Sequence, residues 1–132
     1  MPQLQHITSG PLPYLLSMPL KNENANKIPI LCFLHGKDEA QPMKILKALT
    51  LHGPLRPENL DRLKDNFIII APQTPKAGDL WYKFSKHVHE IVQNVQNQCN
   101  GDVKRTYLTG FSFGGNGVFD IADSNPNFFA AI

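Results

Sequence analysis

Long apolar runs, blocks of like charge and clustered cysteines are all missing from this 132-residue sequence. No segment approaches the roughly 18 consecutive apolar residues that mark a membrane-spanning helix. Residues 1–16 lack the basic start and apolar stretch of a secretory signal. Thirteen basic and eleven acidic residues leave a formal charge of +2, which gives no electrostatic basis for binding nucleic acid or a membrane surface. We therefore expect a cytoplasmic protein with no nucleic-acid partner and no membrane span.

Cysteine is scarce and dispersed. Cys32 and Cys99 form no Cys-x-x-Cys pair and no ligand-spaced cluster, so we expect no metal site and no cofactor. Cys32 lies in an apolar run and Cys99 ends a helical pattern. Two shielded thiols fit a reducing compartment, although the sequence also allows one disulfide between them.

The remaining sequence predicts strands and helices in alternation. An apolar segment bounded by prolines, 12–20, is predicted as an edge or first strand. Continuous apolar runs predict central strands at 28–36 and 66–73, and the segment 103–110, after the helix break at 100–102, is predicted as a third central strand. Helices are predicted at 39–53 (ending at Gly53), 83–99 and 118–124. Polar connections are expected at 21–27, 54–65 and 74–81, and the last residues, 128–132, resemble the opening of a further strand. This order predicts an α/β fold, a mainly parallel sheet with helices on both faces, in which ligands bind beyond the carboxyl ends of the strands.

The segment GFSFG, residues 110–114, has the spacing Gly-x-Ser-x-Gly between a predicted strand and a predicted helix. That context is typical of a nucleophile elbow, in which a sharp turn lifts the serine hydroxyl clear of the sheet. Glycines two residues before and after Ser112 remove side chains that would collide with neighbouring backbone. The alternatives are a glycine-rich helix start that Ser112 merely caps, and a dinucleotide loop, which would need glycine at position 112.

With these segments the chain resembles the N-terminal part of an α/β-hydrolase. It is most similar to esterases related to dienelactone hydrolase and to the carboxylesterase/phospholipase-type "predicted peptidases". The resemblance runs from about residue 12 to residue 132 and is carried by YLLSMPL, PILCFLHG, LHGPL, NFIIIAPQTP with Trp81 shortly after, and RTYLTGFSFGGNGVFDIA. It implies an α/β-hydrolase fold truncated after the nucleophile helix, with residues 1–132 as the N-terminal portion of one domain.

The resemblance also implies roles for individual residues. Ser112 would be the nucleophile, and the backbone amides of Phe113 and Lys37 would be the two oxyanion donors. His35 and Gly36 would shape the loop that carries Lys37. Relatives often have His-Gly-x-Gly at this loop, whereas Asp38 stands in the place of the second glycine here.

A triad in chain order requires an acid and a histidine after the serine. No histidine occurs in the 20 residues after Ser112, and Asp120 and Asp123 belong to a helix that leads away from the site. His35 is expected to shape the loop and not to act as the base. The other four histidines, His6, His52, His87 and His89, fit no catalytic pattern. His87 and His89 are expected to be exposed on the helix predicted at 83–99.

The expected function is therefore hydrolysis of carboxylic esters or thioesters through an acyl-enzyme on Ser112, with a small-molecule ester as substrate. Without a base, the chain alone is expected to be inactive or weakly active, as a fragment or as half of a protein completed by another polypeptide. An open sheet edge could then mediate association. The alternatives are a non-catalytic hydrolase relic or binding module, and a nucleotide-binding protein, which would need a phosphate-loop lysine that GFSFGGNG lacks.

Overall fold

A computed structural model describes residues 4–20 and 26–132, and strands and helices alternate along them. The strands are β1 (Leu4–Ile7), β2 (Tyr14–Ser17), β3 (Ile28–Leu34), β4 (Ile68–Pro72) and β5 (Gly101–Gly110). The helices are α1 (Ile45–Leu49), α2 (Pro57–Leu63), α3 (Ser85–Gln98) and α4 (Phe113–Ser124), with 3-10 turns at Lys37–Glu39, Gly53–Leu55 and Trp81–Phe84. The part of the predicted polar connection that spans 21–25 lies outside the described residues.

The strands form one mixed sheet in the order β1-β2-β4-β3-β5. β3 pairs in parallel with both β4 and β5, whereas β2 pairs antiparallel with both β1 and β4. The expectation of a mainly parallel sheet therefore holds for β3, β4 and β5 but misses the two antiparallel pairings. The segment predicted as an edge or first strand is β2, which lies second in the sheet because the short, half-exposed β1 takes the edge.

Helices cover both faces of the sheet, because the apolar runs of the central strands bury alternate side chains on opposite sides. Ile68 and Ile70 of β4 pack with the apolar faces of α3 and α4, whereas Ile69 packs on the other face with α1 and α2. The stripe predicted for the longest helix is observed, since α3 buries Val88, Ile91, Val92 and Val95.

Three helix predictions need correction. The helix predicted over 39–53 is reduced to α1, and Gly53 opens a 3-10 turn with φ of +78° instead of ending a helix. The connection expected at 54–65 contains α2, which begins at Pro57, because proline is well tolerated in the first turn of a helix. The helix predicted from 118 starts at Phe113, so its first turns contain the glycines themselves.

The carboxyl ends of β3, β4 and β5 meet at one edge of the sheet, where His35, Gln73 and Phe111 follow them. Beyond β5, the predicted opening of another strand is present as a parallel bridge between Tyr107 and Ala131. Within residues 4–20 and 26–132, no helix is both long and apolar enough to cross a membrane.

Candidate active site

Ser112 occupies the turn between β5 and α4 in a strained backbone conformation. Its φ of 53° and ψ of −114° are unusual for a residue other than glycine, and such conformations cost on the order of 1–3 kcal/mol. The side chain is exposed and makes no hydrogen bond that caps α4. A capping serine would accept a hydrogen bond from one of the first amides of the helix, so Ser112 does not act as the cap of α4.

Two glycines allow the backbone to turn this sharply. A Cβ on Gly110 would lie 2.3 Å from the carbonyl oxygen of Gly114, and a Cβ on Gly114 would lie 1.9 Å from the carbonyl oxygen of Leu34. Both distances are far below van der Waals contact, and both atoms that would be struck belong to the backbone. The glycines two residues before and after Ser112 therefore let α4 approach the ends of β3 and β5.

Hydrogen bonds fix the turn against the sheet. The amide of Phe111 donates to the carbonyl of Leu34 over 3.1 Å, and the amide of Gly114 donates to the carbonyl of Phe111 over 2.8 Å. In the described part of the chain, the amide of Phe113 donates to no acceptor. It is the first amide of α4, where the helix dipole favours a negative charge.

The turn after β3 lies directly beside this elbow. A Cβ on Gly36 would lie 3.3 Å from the ring of Phe111, and the carbonyl of His35 faces Gly114. Lys37 opens the 3-10 turn that follows, its side chain is exposed, and its amide has no acceptor among residues 4–20 and 26–132. The structure thus brings the His35–Lys37 segment next to the residues that flank Ser112.

His35 is buried, and both of its ring nitrogens are engaged. The amide of Thr74 donates to Nε2 over 3.0 Å, so Nε2 is unprotonated, and Nδ1 must carry the proton that it shares with the carbonyl of Gly36 over 2.6 Å. Burial lowers the pKa of His35, although its bond to Gly36 and the charge of Glu39 act in the opposite direction. His35 is therefore a neutral imidazole with no free acceptor nitrogen for the hydroxyl of Ser112.

Trp81 supports the same turn from the other side. Its indole Nε1 donates to the carbonyl of His35 over 3.0 Å, and its ring lies edge-on to the imidazole with centroids 4.9 Å apart. The ring also fills the space that Gly117 leaves open on α4, where a Cβ would lie 2.5 Å from that of Trp81. Trp81 thus packs between the turn after β3 and the helix after Ser112.

Sequence reasoning missed Glu39 and Gln73, which also lie in this network. The Glu39 carboxylate accepts the amide of Gly36 over 3.0 Å, and the Gln73 side chain donates to the carbonyls of Glu39 and Met43. The sequence offers only half of a capping box for Glu39, because the residue three positions before it is Gly36, which has no side chain to complete the pattern. No comparable local pattern points to Gln73.

The remaining histidines lie away from Ser112 or contact it only through other residues. His52 stacks on Phe111 with ring centroids 4.0 Å apart. The expectation that His87 and His89 are exposed is wrong, because each is partly buried, against Phe84 and Phe128 respectively. Asp120 and Asp123 are exposed on α4. In the described part of the chain, no histidine or carboxylate forms a hydrogen bond with Ser112.

A cavity of about 390 Å³ borders the elbow next to Phe111. Its walls come from β3, α2 and the end of β5 and are mainly apolar, with Leu31, Phe33, Leu63 and Thr109 among the lining residues. Asn59 and Arg62 are the polar side chains that α2 contributes.

No protein-family model and no curated protein sequence matches the chain. Solved structures do match it. A thermostable esterase is 21% identical with a TM-score of 0.69, and the match covers 98% of this chain and 40% of the esterase. Acetyl xylan esterase from Aspergillus awamori is 19% identical with a TM-score of 0.71, and the match covers 97% of this chain and 50% of the esterase. S-formylglutathione hydrolase from Agrobacterium tumefaciens is 16% identical with a TM-score of 0.60, and the match covers 96% of this chain and 53% of the hydrolase.

The chain therefore spans only about half the length of the solved structures it matches. At these identities the likeness concerns the fold and not the chemistry. Over most of its length, this protein has an α/β-hydrolase-like fold of the kind found in esterases.

Proposed function

We propose that this chain carries the nucleophile half of a serine hydrolase that acts on carboxylic esters or thioesters. The observation that carries the proposal is the conformation of Ser112, an exposed serine at positive φ on a strand-to-helix turn, with no capping bond to occupy its oxygen. A serine held in this way is available for nucleophilic attack, and the glycines around it have a steric reason for being there.

In the proposed reaction the Ser112 oxygen attacks the carbonyl carbon of the ester. The negative charge that develops on the carbonyl oxygen is stabilised by the amides of Phe113 and Lys37, neither of which has an intramolecular acceptor in the described residues. The alcohol or thiol leaves as the acyl-enzyme forms, and water then attacks the acyl group and releases the acid. Proton transfer in both steps requires a base, and among the described residues no histidine or carboxylate is bonded to Ser112.

The catalytic acid and base are thus left unassigned, and we propose that residues 1–132 form the N-terminal portion of a single hydrolase domain. The esterases among the matched structures support ester substrates in particular. The free thiols of Cys32 and Cys99 support a reducing, cytoplasmic location.

The alternative function is a hydrolase relic or binding module without activity. It is favoured by one observation: among the described residues, no histidine or carboxylate forms a hydrogen bond with Ser112. An unactivated serine is an ordinary alcohol and a weak nucleophile.

Labelling with a fluorophosphonate probe separates the two functions. The proposed function predicts slow covalent labelling that is abolished in Ser112→Ala and retained in Ser124→Ala, which removes an exposed hydroxyl from the far end of α4. Because the missing component is a base, added imidazole should accelerate labelling at Ser112. No labelling at Ser112 with or without imidazole would favour the relic.

A further inference from the structure

Glu39 is a buried carboxylate beside the turn that follows β3. Glu39 is only 7% exposed, and its carboxylate forms no ion pair with any residue that the structure describes. A buried carboxylate without a cationic partner must be compensated by hydrogen bonds. The bond that Glu39 Oε1 accepts from the amide of Gly36 provides this compensation over 3.0 Å.

This bond holds Gly36 where there is little space for a side chain. A Cβ on Gly36 would lie 2.9 Å from Glu39 Oε1 and 3.3 Å from the ring of Phe111. The Gly36 backbone therefore lies between the carboxylate and the residue that precedes Ser112. Because Lys37 follows Gly36 directly, a shift of Gly36 would also displace the Lys37 amide.

Glu39 is itself tied to the sheet. Its carbonyl accepts a hydrogen bond from Gln73 Nε2 over 2.9 Å, and Gln73 is buried directly after β4. The same nitrogen donates to the carbonyl of Met43 over 2.8 Å. The carboxylate that binds Gly36 thus belongs to a residue with little freedom to move.

We propose that Glu39 is a positioning residue that orients the Lys37 amide toward the Ser112 site through its bond to Gly36. Its importance for reactivity rests on the proposed function, whereas its effect on the turn does not. The turn is closed by the bond from the Gly36 amide to the Glu39 side chain three residues later, so this side-chain bond determines its shape. The oxygen of Glu39 is what matters in this role, not its negative charge.

Three variants test this role. Glu39→Ala removes the acceptor, and Glu39→Gln keeps an acceptor oxygen but loses the charge. Asp38→Ala is the matched control, because it removes an exposed carboxylate from the same turn with no hydrogen bond to Gly36. If Glu39→Ala does not fold, Glu39→Asp takes its place, since its side chain is one methylene shorter and cannot reach the Gly36 amide.

The first measurement is amide hydrogen exchange of Gly36 by NMR, which needs no activity. Exchange should accelerate by about tenfold or more in Glu39→Ala and stay within about threefold of wild type in Glu39→Gln and Asp38→Ala. Unchanged exchange in Glu39→Ala, or acceleration in Asp38→Ala of the same size, would overturn the proposal.

The second measurement is the rate of fluorophosphonate labelling at Ser112. Glu39→Ala should slow it by about 10- to 100-fold, and Glu39→Gln should restore most of the rate. Labelling of Glu39→Ala at the wild-type rate overturns the link between Glu39 and Ser112. If wild type is not labelled at all, the proposed function fails, and the Gly36 exchange rates alone then support or reject the positioning of the turn.

Discussion

Replacement of Gly114 by alanine tests whether glycine is required where α4 meets β3. The added Cβ would lie 1.9 Å from the carbonyl oxygen of Leu34 and 2.6 Å from that of His35, whereas ordinary contact begins near 3.4 Å, so the methyl group must move by about 1.5 Å. β3 is held between β4 and β5, so its end cannot move independently of the sheet. Overpacking typically costs about 1–3 kcal/mol and more where backbone must shift, so we expect the free energy of unfolding to fall by at least about 3 kcal/mol.

The neighbouring Gly115 provides the matched control. Of the atoms in residues 4–20 and 26–132 that lie outside its own helix backbone, a Cβ at this position would come within 4 Å only of the carbonyl oxygen of Gly110, at 3.9 Å. Alanine is favoured over glycine in a helix by about 0.8–1.0 kcal/mol, so Gly115→Ala should stabilise the protein by up to that amount. The same methyl group added one residue apart should therefore produce stability changes that differ by about 4 kcal/mol.

Urea unfolding, followed by circular dichroism and by the fluorescence of Trp81, measures this difference. Trp81 is the only tryptophan and is 2% exposed, so its emission reports the loss of the core. With a urea m-value of about 1.5 kcal/mol per M, the midpoint of Gly114→Ala should fall by about 2 M. Equal midpoints for the two alanine variants would show that the elbow does not depend on the close approach described above.

Three further predictions concern the helix after Ser112, the turn after β3 and the two cysteines. Gly117→Ala should destabilise the protein by about 1–3 kcal/mol and shift the emission of Trp81, because its Cβ would lie 2.5 Å from that of Trp81; unchanged emission would contradict this packing. Because burial lowers the pKa of His35, the unfolded chain gains a proton more readily as the pH falls below about 6.5, and the free energy of unfolding should decrease there by up to about 1.4 kcal/mol per pH unit. His35→Gln should flatten that dependence in pH-dependent urea titrations, and an unaltered slope would argue against a buried neutral imidazole. Burial raises the pKa of Cys32 to about 12, so a thiol reagent at pH 8 should modify the half-buried Cys99 first and Cys32 only on unfolding, whereas equal modification rates in the native protein would be inconsistent with the structure.

The central strands and the longest helix could be predicted from the sequence because their signals are local. β3 and β4 follow from continuous apolar runs, β5 follows from its place between the helix break at 100–102 and the glycines, and α3 follows from an apolar stripe at helical spacing. The elbow is local in the same sense. Gly110, Ser112 and Gly114 lie within five consecutive residues, and their spacing between a strand and a helix was enough to predict the turn.

The elements that the sequence left unpredicted depend on partners elsewhere in the chain. β1 has a half-exposed, partly polar sequence and becomes a strand because β2 offers it an unpaired edge. α2 was obscured by prolines and charges, although Leu60 anchors it to the core and Pro57 suits its first turn.

The candidate site also has one part that depends on neighbouring residues and one part that depends on residues far apart in the chain. The sequence by itself determined the strained serine turn, since the required glycines are neighbours of Ser112 and act on it through short-range sterics. Only the tertiary structure decided what supports the turn beside it, because Gln73, Thr74 and Trp81 bond to groups that lie at least 30 residues away in the chain. Those contacts form only when the carboxyl ends of β3 and β4 are brought to one edge of the sheet, and no local pattern encodes a hydrogen bond between segments so far apart.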